Sequence, residues 1–173
     1  MPFVLKRTDQ VALIRDLTYE YANLMVAAYF DLNCQPPWRT NCDDAFILGC
    51  RKIGDFLTTD INNRKDDDVL AMDYLPPTAR RSWDLPMWRV KGRNEMNKYL
   101  THITYQRAED RDAKGLPHWE HTVWVPPLRD EFNKAWWDFR DSVTDGAFCM
   151  EFDKQLSERE ARPAFKMVNL KRL

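Results

Sequence analysis

Apolar residues recur every three or four positions near the start of the chain, and this spacing is the feature that most restricts its fold. Between positions 14 and 32 they fall on one side of a helix: Ile14, Leu17, Tyr21, Leu24, Met25, Ala28 and Leu32. The alternating pattern and the Asn-Gly hairpin turn that would predict a sheet are not found. The sequence therefore predicts an all-α protein, with Thr8 as the cap of its first helix.

A second helix is predicted after the break at Gln35-Pro36-Pro37. We expect Thr40 or Asn41 to cap it, with Asp43 and Asp44 in the first turn, where carboxylates favour the helix dipole. Its buried face is expected to contain Phe46, Cys50, Ile53 and Leu57.

The segment from Thr58 to Pro86 contains Asn62-Asn63, an acidic run and Pro76-Pro77, a composition that suppresses long regular structure. We predict a long ordered loop here. The side chains expected to pin it to the core are Tyr74, Leu75 and Trp83.

Two more long helices are predicted beyond this loop. The third runs from about Trp88 to Arg111. The fourth is expected to start at Pro126-Pro127 and to stop at Gly146. Its apolar positions are Leu128, Phe132, Ala135, Trp136, Phe139 and Val143. Residues 1–173 are thus predicted to form one domain, a bundle of four to five main helices with a long ordered loop between helices 2 and 3, and about 147–173 as a C-terminal extension or short helix.

Composition narrows the class of function. The 26 basic and 27 acidic residues give a net charge of -1, which argues against a surface built as a whole to attract nucleic acid. No run of about 18 apolar residues suggests a membrane span, and the apolar part of the start is too short for a signal peptide, so we expect a cytoplasmic protein with no membrane partner. The four cysteines have no Cys-x-x-Cys spacing, and we predict reduced, mostly buried thiols rather than a zinc site with His118 and His121.

The segment 96–107 concentrates the side chains that can carry chemistry. His102 can exchange a proton near neutral pH, and on an ideal helix Lys98 lies about 40° from it, whereas Asn97 and Arg107 lie about 140° away. Thr104 adds a hydroxyl in the same segment. In one interpretation His102, Lys98 and Arg107 join the preceding acidic run to fasten the long loop to the third helix; the carboxylates in that network would be those of Asp67 and Asp68. In the other, His102 is open to solvent and acts as a general base or acid.

Asn97, Lys98 and His102, in the segment 97–104, resemble the Arg-Asn-Lys-x-x-Ala-His signature of the HEPN superfamily, which includes abortive-infection relatives. Residues 50–57 and 66–69 are similar to a pattern in uncharacterised bacterial proteins with a comparable segment, so the resemblance spans about 40–110. It implies an all-α bundle, a homodimer and, in active members, a metal-independent ribonuclease. The arginine of that signature has no counterpart here, since the nearest upstream arginine, Arg93, is separated from His102 by eight residues.

A ribonuclease of this kind would need another cation to stabilise the charge that develops on phosphate. Lys98 could supply it as a point charge, or Arg51 or Arg107 could be delivered from a neighbouring helix or a second subunit. We favour a binding or regulatory module, with no cofactor and no metal, over a divergent ribonuclease acting on RNA. A magnesium site at Asp66-Asp67-Asp68 is the weaker interpretation of that acidic run.

Overall fold

The computed structural model describes residues 7–34, 38–65, 68–89, 121–165 and 168, and over these ranges the all-α prediction is confirmed. No strand occurs among them. The long helices are α1 (Arg7–Asn33), α2 (Trp38–Thr58), α3 (His121–Ser142) and α4 (Gly146–Glu160). None of the described helices is both long and apolar enough to cross a membrane.

Helix α1 is central, because it contacts each of the other three long helices. Its predicted apolar stripe is buried or partly buried throughout, which confirms the spacing argument. The predicted cap is wrong. The helix already begins at Arg7, so Thr8 lies inside it and its hydroxyl donates only to the neighbouring Asp9 carboxylate, at 3.5 Å.

Helix α2 also begins earlier than predicted, at Trp38 rather than after Thr40 or Asn41. Thr40 and Asn41 therefore lie in its first turn, where neither can be the cap. Asp43 and Asp44, which were expected in the first turn, lie beyond it. The predicted buried face is confirmed: Phe46, Cys50, Ile53 and Leu57 are buried.

The connection after α2 is the predicted long loop, interrupted by three short 3-10 helices: Ile61–Asn63, Ala71–Tyr74 and Pro77–Ala79. Its predicted pins are buried, namely Tyr74, Leu75 and Trp83. The backbone N–H of Trp83 donates to the Leu57 carbonyl at 2.9 Å, and its indole N–H donates to Asp138 at 2.7 Å. These bonds attach the loop to α2 and α3.

Helix α3 contains Pro126 and Pro127 instead of starting at them. The two prolines cannot donate to carbonyls one turn earlier. Val125 is nevertheless fully buried, and this burial holds the first turns against the core. The predicted apolar positions of the helix, from Leu128 to Val143, are buried as expected.

The fourth predicted helix ends at Ser142, shortly before the predicted stop at Gly146, and after three non-helical residues α4 begins at Gly146. The carboxylate of Asp145 accepts hydrogen bonds from the N–H groups of Ala147 and Phe148, at 2.9 and 3.1 Å, and so caps the helix. The segment predicted as a C-terminal extension or short helix thus contains a core helix, whose buried residues are Phe148, Phe152, Leu156 and Arg159.

The centre of the bundle is aromatic. Tyr21 of α1 stacks on Trp136 of α3 with ring centroids 4.6 Å apart, and Trp136 contacts Phe152 of α4 at 5.5 Å. None of the four cysteines forms a disulfide, but the prediction that they are mostly buried is wrong, because Cys34, Cys42 and Cys149 are partly exposed and Cys50 alone is buried.

Residues 86–89 are helical, where the third predicted helix should begin. The Glu131 carboxylate accepts hydrogen bonds from the N–H groups of Met87 and Trp88, at 2.9 and 3.0 Å. The rest of that predicted helix lies outside the described residues.

Candidate anion-binding site

Most of the predicted site residues lie outside the described part of the chain: Asp67, Asn97, Lys98, His102, Thr104 and Arg107. The same holds for His118 and for the side chain of His121. Their fastening or catalytic role stays a prediction. Asp68 and Arg51 are described.

Asp68 takes part in an ordered turn of the long loop. Its carboxylate accepts a hydrogen bond from the Lys65 N–H at 2.9 Å, and its carbonyl accepts one from the guanidinium of Arg64 at 2.7 Å. Arg64 also forms two 2.8 Å hydrogen bonds to the Asp73 carboxylate. The Asp73 carbonyl in turn accepts from Gln10 of α1 at 2.8 Å.

This Arg64–Asp73 pair fastens the loop within the described residues. The two side chains are only 10% and 8% exposed, so their geometry is fixed by burial as well as by charge. Sequence reasoning missed both residues, because nothing in their spacing marks them as partners.

A cleft of about 680 Å³ lies between α1, α2 and this loop. Asp68 lines it, together with the ion pair in which Lys52 of α2 contacts Glu20 of α1 at 2.7 Å. Arg51 is exposed on α2 but does not line the cleft. The structure therefore does not bring the two described candidates together in this cleft.

A second cleft, of about 750 Å³, lies between α1 and the C-terminal end of α4, and we term it the arginine cleft. The α1 residues that line it are spaced as one helix face, and so are those of α4. The lining consists of Ala12, Arg15, Asp16 and Tyr19 from α1, and Lys154, Gln155, Glu158, Arg159 and Arg162 from α4 and the turn after it.

Arg159 is the unusual residue of the arginine cleft. Its side chain continues the buried face of α4, and the residue is only 4% exposed. Its Nη2 donates to the carbonyl of Arg15 at 2.9 Å, and its guanidinium lies over the ring of Tyr19, 5.0 Å from the centroid. Its Nε is buried and has no hydrogen-bond partner among the described residues.

Among the described residues, no carboxylate lies at ion-pair distance from Arg159, although the charge of Asp16 acts on it from farther away. None of the ion pairs among the described residues includes Arg15, Arg159 or Arg162. Burial lowers the pKa of the Arg159 guanidinium, and the positive charges of Arg162 and Arg15 lower it further, more than Tyr19 and Asp16 raise it. The cleft therefore holds a desolvated cation beside two others, an arrangement that an anion would stabilise.

The sequence does contain a signal for this site. The buried positions of α4 are Phe148, Phe152 and Leu156, and the next position on that stripe is Arg159. Arginine is rarely fully buried unless it is paired. An arginine on the apolar face of a predicted helix is therefore a reason to look for an anionic partner.

Metal chemistry finds no support in the described part of the chain, where no group of three or more His, Cys, Asp or Glu side chains could hold an ion. Asp66 and Asp67 are outside that part, so the acidic run as a whole is not tested.

No protein-family model, curated protein or solved structure matches this chain. The resemblance to the HEPN superfamily therefore stays a prediction that these comparisons neither support nor refute.

Proposed function

We propose that the protein is a binding module rather than an enzyme, and that it recognises an anionic group in the arginine cleft. The observation that carries this proposal is the buried Arg159, whose Nε has no hydrogen-bond partner and which has no carboxylate at ion-pair distance within the described part of the chain. Bringing a charge into the interior costs several kcal/mol in rough terms unless it is paired. An anionic ligand is the partner that would offset this cost.

The geometry of the cleft suits such a ligand. The bond from Arg159 to the Arg15 carbonyl and the contact with Tyr19 hold the guanidinium in one position before any ligand arrives. Prior positioning lowers the entropy lost on binding. The exposed side chains of Arg15, on α1, and Arg162, in the turn after α4, can then close on the ligand from two sides.

The alternative is that Arg159 only anchors α4 to α1. Titration with inorganic phosphate at low ionic strength distinguishes anion binding from anchoring. Calorimetry measures the binding, and the midpoint of thermal unfolding measures its effect on stability. We expect phosphate to bind and to raise the midpoint, since a ligand that binds only the folded state stabilises it. A purely anchoring arginine predicts no phosphate binding.

Phosphate affinities of two arginine variants test whether the phosphate binds in the arginine cleft. Arg162 is exposed, so Arg162→Gln should fold normally, yet it should weaken phosphate binding by about tenfold through loss of one charged hydrogen bond. Arg81→Gln is the matched control, because Arg81 is an exposed arginine that pairs with Asp138 away from the cleft. Equal phosphate affinity in both variants would contradict the proposal.

We keep the divergent ribonuclease as a second candidate, because the all-helical fold agrees with what the HEPN resemblance implies. The homodimer and the RNA partner belong to this candidate. Incubation of the purified protein with mixed RNA in the presence of a chelator tests it. RNA cleavage that His102→Ala abolishes would establish the ribonuclease and overturn the non-catalytic proposal.

We also propose a cytoplasmic location. The support for it is that none of the four cysteines forms a disulfide, as is usual for proteins of reducing compartments.

A further inference from the structure

We infer that the arginine cleft selects a single, isolated phosphomonoester and rejects polyanions such as nucleic acid. This inference rests on the proposed anion-binding function and names its ligand class. It depends on which charges line the cleft and on how they are paired.

The basic residues of the cleft favour phosphate over carboxylate. Three arginines line it, and none of them has an ion-pair partner in the ranges that the structure describes: Arg15, Arg159 and Arg162. A phosphomonoester carries a charge of roughly −2 at neutral pH and three acceptor oxygens, whereas a carboxylate offers two oxygens and one charge. Guanidinium groups match phosphate oxygens in pairs of parallel hydrogen bonds.

The acidic residues of the cleft oppose a second phosphate. Asp16 of α1 and Glu158 of α4 also line it, and both are exposed. The fourth basic residue, Lys154, forms an ion pair with Glu151, its ammonium 3.4 Å from the carboxylate. A chain of phosphates entering the cleft would bring several negative charges close to these carboxylates, whereas one isolated phosphate brings only its own.

Repulsive groups of this kind set specificity, because selectivity is the difference between two affinities. The net charge of the chain, -1, is consistent with this selectivity, because it creates no broad positive potential that would attract a polyanion. We assign Asp16 and Glu158 as the residues that exclude nucleic acid from the arginine cleft.

The test compares four probes on the full chain: a serine-phosphorylated peptide, its unphosphorylated form, glycerol phosphate, and a single-stranded RNA decamer. We expect both phosphomonoesters to bind, and the unphosphorylated peptide and the RNA to bind at least tenfold more weakly. A phosphopeptide that binds at least tenfold more tightly than glycerol phosphate identifies a modified protein as the source of the phosphate. Equal affinities identify a small phosphate ester.

The double variant D16N/E158Q tests the assigned selectivity residues. It should gain at least tenfold in RNA affinity and a clearly smaller factor in affinity for glycerol phosphate, with an unchanged unfolding midpoint as the control for folding. RNA binding by the original protein that equals phosphomonoester binding, or RNA affinity that the double variant leaves unchanged, would overturn this inference while the anion-binding function stands. Failure of both phosphomonoesters and inorganic phosphate to bind would overturn the proposed function and this inference with it.

Discussion

The indole ring of Trp88 lies against the backbone of Gly54, so close that no side chain fits between them. A methyl carbon on Gly54 would lie 2.6 Å from Cε2 of the indole and 3.0 Å from Cζ2. Trp88 is itself buried and contacts Phe132, with ring centroids 5.7 Å apart, so it has little room to give way. We therefore expect Gly54→Ala to lower the free energy of unfolding by about 1–3 kcal/mol in urea denaturation.

Gly146→Ala is the matched control for this substitution. A methyl carbon at Gly146, the first residue of α4, meets nothing within 4 Å. The free energy of unfolding should change by less than about 0.5 kcal/mol. Equal effects at the two glycines would show that the approach of Trp88 does not limit the space at Gly54.

The buried pair of Arg64 and Asp73 gives a second prediction. Asp73→Asn keeps the shape of the side chain but removes the charge that faces a guanidinium only 10% exposed. We expect a loss of about 3 kcal/mol in the free energy of unfolding, since breaking a buried ion pair leaves an uncompensated charge. Thermal or urea unfolding at neutral pH measures it.

Asp153→Asn is the control for that charge effect. Asp153 pairs with Arg140 at 2.7 Å, but its side chain is 56% exposed, so the loss should stay below about 1 kcal/mol. Similar losses in the two variants would mean that burial adds nothing to the Arg64–Asp73 pair.

The long apolar stripes could be predicted from the sequence because they depend only on local geometry. A helix places every third or fourth residue on one side, and the bundle buries that side whatever the detailed packing. Ile14, Cys50 and Phe132 are therefore buried as the spacing indicated. The long loop was predictable for a related reason, because prolines and adjacent Asp or Asn residues disfavour helix.

The helix starts could not be predicted in the same way, because they depend on competition between local signals and packing. Thr8 and Asn41 are good caps but lie inside helices, and Pro126 lies within α3 because the burial of Val125 holds the preceding turn. Gly146 looked like a stop, yet the Asp145 carboxylate makes it a start. At Pro126 and at Gly146, a contact of a neighbouring residue decided the boundary.

The candidate site depends on pairings between distant parts of the chain, and these leave little trace in a single sequence. Arg159 meets the carbonyl of Arg15 across 144 positions. The only sign of this contact in the sequence is the position of Arg159 on the apolar stripe of α4. The segment that carries His102, to which the sequence pointed instead, lies outside the described residues.

The buried hydroxyl of Tyr74 gives a prediction about alkaline stability. Burial raises the pKa of Tyr74, and the nearby Asp73 charge raises it further. The folded protein therefore keeps this proton to a higher pH than the unfolded chain, whose tyrosine pKa is about 10. The resulting stabilisation is complete below that pH and is lost as the pH rises through and beyond it. Tyr74→Phe should make the fall in unfolding free energy above about pH 10 shallower.

Tyr21→Phe separates this effect from the loss of a hydrogen bond at neutral pH. The Tyr74 hydroxyl is buried without a partner among the described residues, so its removal should be neutral or slightly stabilising. The Tyr21 hydroxyl accepts a hydrogen bond from the amide of the buried Asn133 at 3.1 Å. Its removal should cost about 1–2 kcal/mol, and a comparable cost at Tyr74 would reveal a partner for that hydroxyl.

The cysteines differ in reactivity because thiolate, not thiol, attacks alkylating reagents. Cys50 has no exposed surface, and burial raises the pKa of its thiol well above the ordinary value. Iodoacetamide should leave Cys50 unmodified in the folded protein and modify it once denaturant is added. Mass spectrometry of the digested protein measures modification at each cysteine, and rapid labelling of Cys50 in the folded state would contradict its burial.

Alkylation of Cys42 should be slowed both by burial of its thiol and by the neighbouring Cys34. Burial raises the pKa of the Cys42 thiol, and the charge and hydrogen bond of the Cys34 thiol raise it further. Cys34→Ala removes the second cause, so the thiolate fraction of Cys42 at pH 8 should increase and its alkylation should become several-fold faster. Cys149→Ala is the control, because Cys149 is not among the groups that raise the pKa of Cys42. An unchanged rate in Cys34→Ala would mean that the two thiols are not in contact in solution.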